Sequence, residues 1–323
     1  MKKTLIGTLS FPDNLMIIDG VTRSGKFWLA DFMGYFENVE PVIHEASMDY
    51  IAIRAFFNDL DQDSAKEILR NMVSNKCFSI SIGRELNFRL ADSSSIYHNP
   101  QRSKYLNRVH SLPDQNFENL KTVDYREVTF PILSHDWLSI WGVQQEAFPG
   151  IKIVRVERNP VDLVYAWLDT GIGLGQMAFG HRLGYNNKTY PWFAMDFCDK
   201  YDQLTDAERI ILSISYLCNS AWANIKRLKE QGGSIICTSY ERMGEQPAVE
   251  MNRISDFTGR KQLPVMDSLI MLQGRKNRSI EQLRTTRERK ISFIAERCSL
   301  AFMNILTDLQ LEYETDIQDL MLK

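Results

Sequence analysis

The chain has 323 residues, 44% hydrophobic and 24% charged, the make-up of a globular protein long enough to enclose a sizeable core. Its net charge of −3 argues against a nucleic-acid binder, which carries a basic domain or stripe. Five cysteines (Cys77, Cys198, Cys218, Cys237 and Cys298) are scattered, odd in number and without a Cys-x-x-Cys pair, so reduced thiols are expected rather than a disulfide framework.

Met1 to Gly7 starts like a signal peptide but reaches Ser10-Phe11-Pro12-Asp13 without a sufficient apolar stretch. No run approaches the ~18 apolar residues of a membrane span. A soluble, cytoplasmic protein is the expectation. The apolar run Leu15-Met16-Ile17-Ile18 reads as a buried strand, followed by a glycine loop and a helix beginning near Phe27. Such a loop turns backbone N–H groups and the positive end of a helix, about half an elementary charge, toward an anion. The spacing from Gly20 to Gly25-Lys26 fits a nucleotide P-loop, except that Phe27 stands where a Ser or Thr would hold Mg²⁺. A strand–turn–helix connection that needs glycine only for its geometry is the alternative.

Helical spacing is predicted over residues 64–75, with Ser64 as N-cap, whereas 91–114 is polar and turn-rich. Ile132-Leu133-Ser134 ends a second core strand, and the helix after it stops at Phe148-Pro149-Gly150. Residues 151–157 form a third strand by their β-branched run, and Pro160 opens a helix to about residue 168. Residues 170–203, rich in Gly and aromatics, read as a long loop or lid; Gly171-Ile172-Gly173-Leu174-Gly175 within them follows a helix, unlike a dinucleotide fingerprint. A long helix over 207–230 ends at Gly232-Gly233. Ile235-Ile236-Cys237-Thr238 is another buried strand, then a turn and a helix over 248–257. Strands alternating with helices predict an α/β fold of P-loop nucleotide-binding type, a single doubly wound parallel sheet flanked by helices. One domain, 1–323, is expected, with insertions at about 40–125 and 170–205.

Two further segments lie just past strands, on the edge where open α/β sheets bind ligands. They are Arg158-Asn159-Pro160-Val161-Asp162, and Ser239-Tyr240-Glu241-Arg242 with Ile254-Ser255-Asp256-Phe257-Thr258-Gly259 downstream. With Arg23-Ser24-Gly25-Lys26-Phe27-Trp28 they resemble, in order and over roughly residues 15–260, the sulfotransferases that use 3′-phosphoadenosine 5′-phosphosulfate (PAPS). The resemblance implies that Arg23, Ser24, Gly25, Lys26 and Phe27 cradle the 5′-phosphosulfate. It also implies that Trp28 and Tyr240 hold the adenine, and that Arg158 grips the 3′-phosphate. Arg275 and Lys276 partly match a late basic element of the family that neutralises the 3′-phosphate; a solvated basic turn is the alternative.

The chain departs from the family at Ala166, where a serine is usual, and at Lys26 and Phe27, which replace two threonines. A family histidine at a strand end is matched by His135, 23 residues before Arg158, although Leu133 replaces the lysine that usually precedes it. An imidazole with a pKa near 6.5 suits a base for a hydroxyl proton at neutral pH. Asp136 or a glutamate of the acceptor region is the fallback, and a structural His135 the alternative. His44, His98, His110 and His181 have no motif context and are expected in surface or structural roles.

The implied activity moves a sulfuryl group from PAPS to a hydroxyl or amine of a small-molecule or glycan acceptor, without a metal. His135 serves as base and Arg23 stabilises the leaving group. A P-loop kinase or NTPase, and a non-catalytic nucleotide-binding protein of the same fold, are the rivals. Tyr190, Trp192, Phe193 and Phe197 line an acceptor pocket or pack a lid. Residues 274–290, with seven basic and two acidic side chains, are a solvated helix face or a patch for an acidic acceptor.

Overall fold

The computed structural model describes residues 12–92, 94–111, 123–172, 174, 181–274 and 280–317. β1 (Leu15–Asp19) leads through the glycine loop into α1 (Lys26–Met33). Three helices follow, α2 (Ala46–Phe56), α3 (Gln62–Ser81) and α4 (Arg102–Ser111). Then come β2 (Phe130–Leu133), a 3-10 turn (Trp137–Ile140) and α5 (Val143–Ala147). β3 (Lys152–Glu157) and α6 (Pro160–Thr170) precede an antiparallel hairpin of β4 (Arg182–Tyr185) and β5 (Lys188–Pro191). A 3-10 stretch (Trp192–Gln203) enters α7 (Asp206–Glu230), which is followed by β6 (Ile235–Ser239), α8 (Tyr240–Glu245) and α9 (Pro247–Thr258). α10 (Met266–Gly274), α11 (Ile280–Ala295), α12 (Leu300–Glu312) and a π-helical turn (Tyr313–Ile317) complete the described chain. No described helix is long and apolar enough to cross a membrane.

The main sheet has the order β2-β1-β3-β6 and is parallel throughout, with Ile18 opposite both Leu133 and Val154. Leu15, Ile17 and Ile153 face a large core shared with Met48 of α2, Leu69 of α3, Val164 of α6 and Leu217 of α7. Met16, Ile18 and Val154 face a second core with Leu29 and Phe32 of α1 and Met251 and Ile254 of α9. Burial on both faces favours runs of apolar residues rather than alternation, interrupted only where buried charges pair with one another, as at Asp19, Arg155 and Glu157. This is the doubly wound arrangement expected, and it brings the carboxyl ends of β1, β2, β3 and β6 to one edge.

Beneath that edge, Arg155 donates to Asp19 at 2.6 Å and to Glu157 at 2.8 Å, all three side chains out of contact with solvent. Asp19 also accepts the Ser134 hydroxyl at 2.7 Å and the amides of Trp137 and Leu138 at 3.0 and 3.2 Å. Burial alone would raise the Asp19 carboxyl, but Arg155, Ser134 and Lys26 outweigh it and hold the group below the usual carboxylate range. The two captured amides also explain why a tight 3-10 turn precedes the short α5, where one continuous helix was expected.

Other boundaries moved for local reasons. Asp61, not Ser64, caps α3: its carboxylate accepts the Ser64 amide at 3.0 Å and hydroxyl at 2.8 Å. The spacing Ala65, Leu69, Val73, Cys77, Ile80 then carries that helix to Ser81, well past residue 75. α4 lies inside the stretch read as turn-rich. Tyr105 anchors it through a bond to the Val39 carbonyl at 3.2 Å, and Lys104 and Arg108 each meet the buried Glu40 at 2.8 Å. Residues 182–203 hold the hairpin and the 3-10 stretch rather than an irregular loop, and α8 starts directly at the end of β6.

Candidate active site

The loop between β1 and α1 is built around two glycines. A Cβ at Gly20 would lie 2.4 Å from Ser24 Oγ and 2.6 Å from the Val156 carbonyl oxygen. Gly25 has φ +98°, and a Cβ there would lie 2.8 Å from Tyr240 Cδ2. Arg23 is exposed and also occupies the left-handed region, at φ 74°, a strained conformation of the kind that gathers at functional sites. The Ser24 amide closes the turn onto the Val21 carbonyl at 2.8 Å.

Lys26 does not project outward. Its side chain is 1% exposed and its Nζ donates to the Gly20 carbonyl at 2.7 Å, bracing the loop from beneath. Burial draws its pKa down, against the pull of Asp136, Asp19 and Asp49. Phe27, 47% exposed, sets its ring edge-on to His44 at 5.4 Å and 5.8 Å from His135.

Arg158, just past β3, stacks its guanidinium 4.5 Å over the Tyr240 ring, and its Nη1 donates to the Arg23 carbonyl at 2.8 Å. Trp28 meets the same tyrosine at 5.5 Å between ring centroids, tilted by 57°. Asn159 caps α6 by accepting the Val161 amide at 3.0 Å, and Pro160 occupies the first turn. The Asn159 amide donates to Glu241 at 3.0 Å, and the Tyr313 hydroxyl takes the other Glu241 oxygen at 3.0 Å. Trp167, next to Ala166, donates its indole N–H to the Thr22 carbonyl at 2.8 Å. Among the described residues, Ser24 Oγ and Arg158 Nε are buried with no hydrogen-bond partner.

His135 follows β2. Its Nδ1 lies 3.0 Å from Asp49 Oδ2, and its backbone amide donates to Asp49 Oδ1 at 3.2 Å. Burial and the Lys26 ammonium lower the imidazole to about 3, below the 6.5 expected of it as a base, so the ring is neutral at working pH; burial raises the Asp49 carboxyl to about 7. Asp136, at φ 59°, is likewise raised to about 7 by burial. One cavity of about 820 Å³ is lined by Arg23, Lys26, Arg158 and Tyr240 together with Phe27, His135 and Asp136.

Most residues singled out in the sequence are therefore brought together: Arg23, Ser24, Gly25, Lys26, Phe27, Trp28, His135, Arg158 and Tyr240. Arg275 and Lys276 lie outside the described residues, as do Gly173 and Gly175 of the glycine run. The basic stretch is in part neither solvated nor open to a ligand, because Arg287 (2.9 Å) and Lys290 both bind Asp162 on α6. Trp192 and Phe193 reach the cavity, whereas Tyr190 and Tyr201 pack with Ala194 and Cys198 in a small cluster of their own, with Phe197 against it. The sequence reading missed Asp49, and it placed His44 and His181 away from the site whose wall they join. No local signal marks any of the three, since they reach His135 only through the fold.

The sulfotransferase domain family matches the chain over residues 12–300. No curated protein sequence matches it. Among solved structures, the sulfotransferase domain from the curacin biosynthetic pathway is similar at 11% identity, covering 79% of this chain and 76% of that one, with a TM-score of 0.39. The sulfotransferase domain of the Synechococcus PCC 7002 olefin synthase gives 13%, 82%, 79% and 0.40. A sulfotransferase from Alicyclobacillus acidocaldarius gives 12%, 91%, 99% and 0.38. The family match spans nearly the whole described chain, and the protein belongs to the sulfotransferase family.

Proposed function

We propose that this protein transfers a sulfuryl group from PAPS to a hydroxyl or amine of a small-molecule or glycan acceptor. The observation that carries the reading is Arg158, which links the loop, through the Arg23 carbonyl, to the adenine-side tyrosine Tyr240. The fit of the donor is supported by Ser24 Oγ and Arg158 Nε, two buried polar atoms without protein partners, and by the absence of a Cβ at Gly25, which lets the Tyr240 ring pack directly on the loop.

PAPS supplies a sulfuryl group activated by a phosphate leaving group, and negative charge builds on the bridging oxygen as that bond breaks. Arg23 and the amides of Ser24, Gly25 and Phe27 stabilise that charge, and Lys26 adds its field from below the loop. Trp28 and Tyr240 hold the adenine. Arg158 binds the 3′-phosphate with a planar, two-pronged donor, and Arg275 and Lys276 add charge there. His135 accepts the acceptor's proton. A sulfuryl group carries less negative charge than a γ-phosphoryl group, so the Phe27 ring can stand where a metal-holding hydroxyl would otherwise be needed.

In this reading the chain is one domain, and insertions 40–125 and 170–205 shape the acceptor side. Asp49 and His44 from the first, and His181, Trp192 and Phe193 from the second, lie on the cavity wall and support that division. The test is transfer of radiolabelled sulfate from PAPS to a panel of phenols, alcohols, amines and glycans. Labelled product is expected, and it is lost in Arg23→Ala and His135→Ala. Transfer of the γ-phosphate of ATP instead, with no sulfated product from any acceptor, contradicts the proposal.

A further inference from the structure

A histidine base works only if the nitrogen facing the acceptor carries a lone pair, and in a neutral imidazole one nitrogen keeps the proton. His135 directs Nδ1 to Asp49 Oδ2 at 3.0 Å, while Asp49 Oδ1 accepts the His135 amide at 3.2 Å. One carboxylate thus grips both the ring and the backbone of the same residue. Asp49 sits in the first turn of α2, 3% exposed, so a helix distant in sequence fixes the loop after β2.

We propose that Asp49 is the positioning residue of this site: its carboxylate accepts the Nδ1 proton of His135, fixes the ring, and leaves the Nε2 lone pair for the acceptor. The proposal rests on the reading of His135 as the base. Partners of this kind hold a histidine in one tautomer and one orientation; behind metal-ligating histidines their loss costs about 10–100-fold, and a loss of that order is expected here.

The charged and titratable groups around the pair are Lys26, Asp19 and Asp136 from the strand ends and the loop, with His44 and His181 across the cavity wall. A proton taken up by the pair as pH falls is held between Asp49 Oδ2 and Nδ1, 3.0 Å apart. Whichever of the two groups carries it, Nε2 is then protonated and its lone pair is lost to the acceptor.

The test uses the full chain labelled with ¹⁵N in its histidine rings, with the His135 signals assigned by their absence in His135→Gln. At pH 8 the wild type should show a protonated Nδ1 and an unprotonated Nε2, with Nε2 becoming protonated as pH falls through about 7. Asp49→Asn, nearly isosteric, should hold the proton on Nε2 at both pH values, because the amide NH₂ donates to Nδ1. With 4-nitrophenol as acceptor probe, Asp49→Asn should lower kcat by about 10–100-fold without changing nucleotide affinity, and Asp49→Glu should recover part of it. In a His135→Gln background, the same substitution should change turnover less than about twofold.

A wild-type Nε2–H tautomer at pH 8, or an equal loss of turnover in the His135→Gln background, overturns the proposal. Wild-type turnover in His135→Gln itself, with the tautomer as expected, would instead remove the base assignment on which it rests. The spectroscopic arm needs no acceptor and decides the tautomer alone.

Discussion

The Arg158 guanidinium lies 4.5 Å above the Tyr240 ring and at the same time donates to the Arg23 carbonyl at 2.8 Å. This one side chain couples three segments that are far apart in sequence. Arg158→Ala should weaken adenosine 3′,5′-bisphosphate binding by about 10–100-fold, since a two-pronged charge-assisted contact is lost, while turnover at saturating PAPS falls much less. Arg158→Lys keeps the charge but not the planar fork, so calorimetry should rank it between the two.

Gly20 is fixed by the strand beside it. Gly20→Ala would press a methyl group onto the Val156 carbonyl oxygen at 2.6 Å, a backbone atom of the central sheet that cannot swing aside. We expect a loss of about 1–3 kcal/mol in urea unfolding, together with loss of nucleotide binding as the loop is displaced. Gly150→Ala is the control, because a Cβ there meets nothing within 4 Å, although its φ of +73° sets a smaller cost.

Arg155 holds Asp19 and Glu157 in the dry interior under the loop. Arg155→Met fills much of the same volume but leaves two buried carboxylates without their cation. The expected cost is about 3–5 kcal/mol in denaturant unfolding, far more than an exposed ion pair would give.

Asp136 makes a pH-dependent prediction. Its folded pKa is raised to about 7 by burial, so between roughly pH 4 and 7 the folded chain binds more protons than the unfolded one. The contribution of this group to stability therefore falls as pH rises through that window and is most unfavourable above it. Asp136→Asn, which tolerates the φ of 59°, should raise Tm more at pH 8 than at pH 4.5. An equal shift at both values would mean that this carboxyl is not held neutral in the fold.

What the sequence disclosed, and what it hid, follows from the range of the interactions. β1 and β3 were legible because strands covered on both faces are rich in apolar, β-branched residues, although β3 also carries the buried Arg155 and Glu157. α7 was legible because its boundary is local, a capping box in which Thr205 and Glu208 satisfy each other's amides. α4 was not, because Lys104 and Arg108 on its polar face reach back to Glu40, and among its described residues Tyr105 alone is buried. The side of the site built by Arg23, Arg158 and Tyr240 was visible in three short motifs, each lying at a strand end. The partner of His135 was not, since Asp49 lies 86 residues away and meets it only once α2 has packed against the 3-10 turn after β2. The basic run after residue 274 misled for the same reason, because its counter-charge, Asp162, sits on α6.

The most direct measurement is a calorimetric titration of the full chain with adenosine 3′,5′-bisphosphate in EDTA, set beside ATP with Mg²⁺. Tight binding of the bisphosphate without any divalent ion, lost in Arg158→Ala, and weak binding of ATP is the predicted result. Tight, Mg²⁺-dependent binding of ATP with no heat from the bisphosphate would contradict the account.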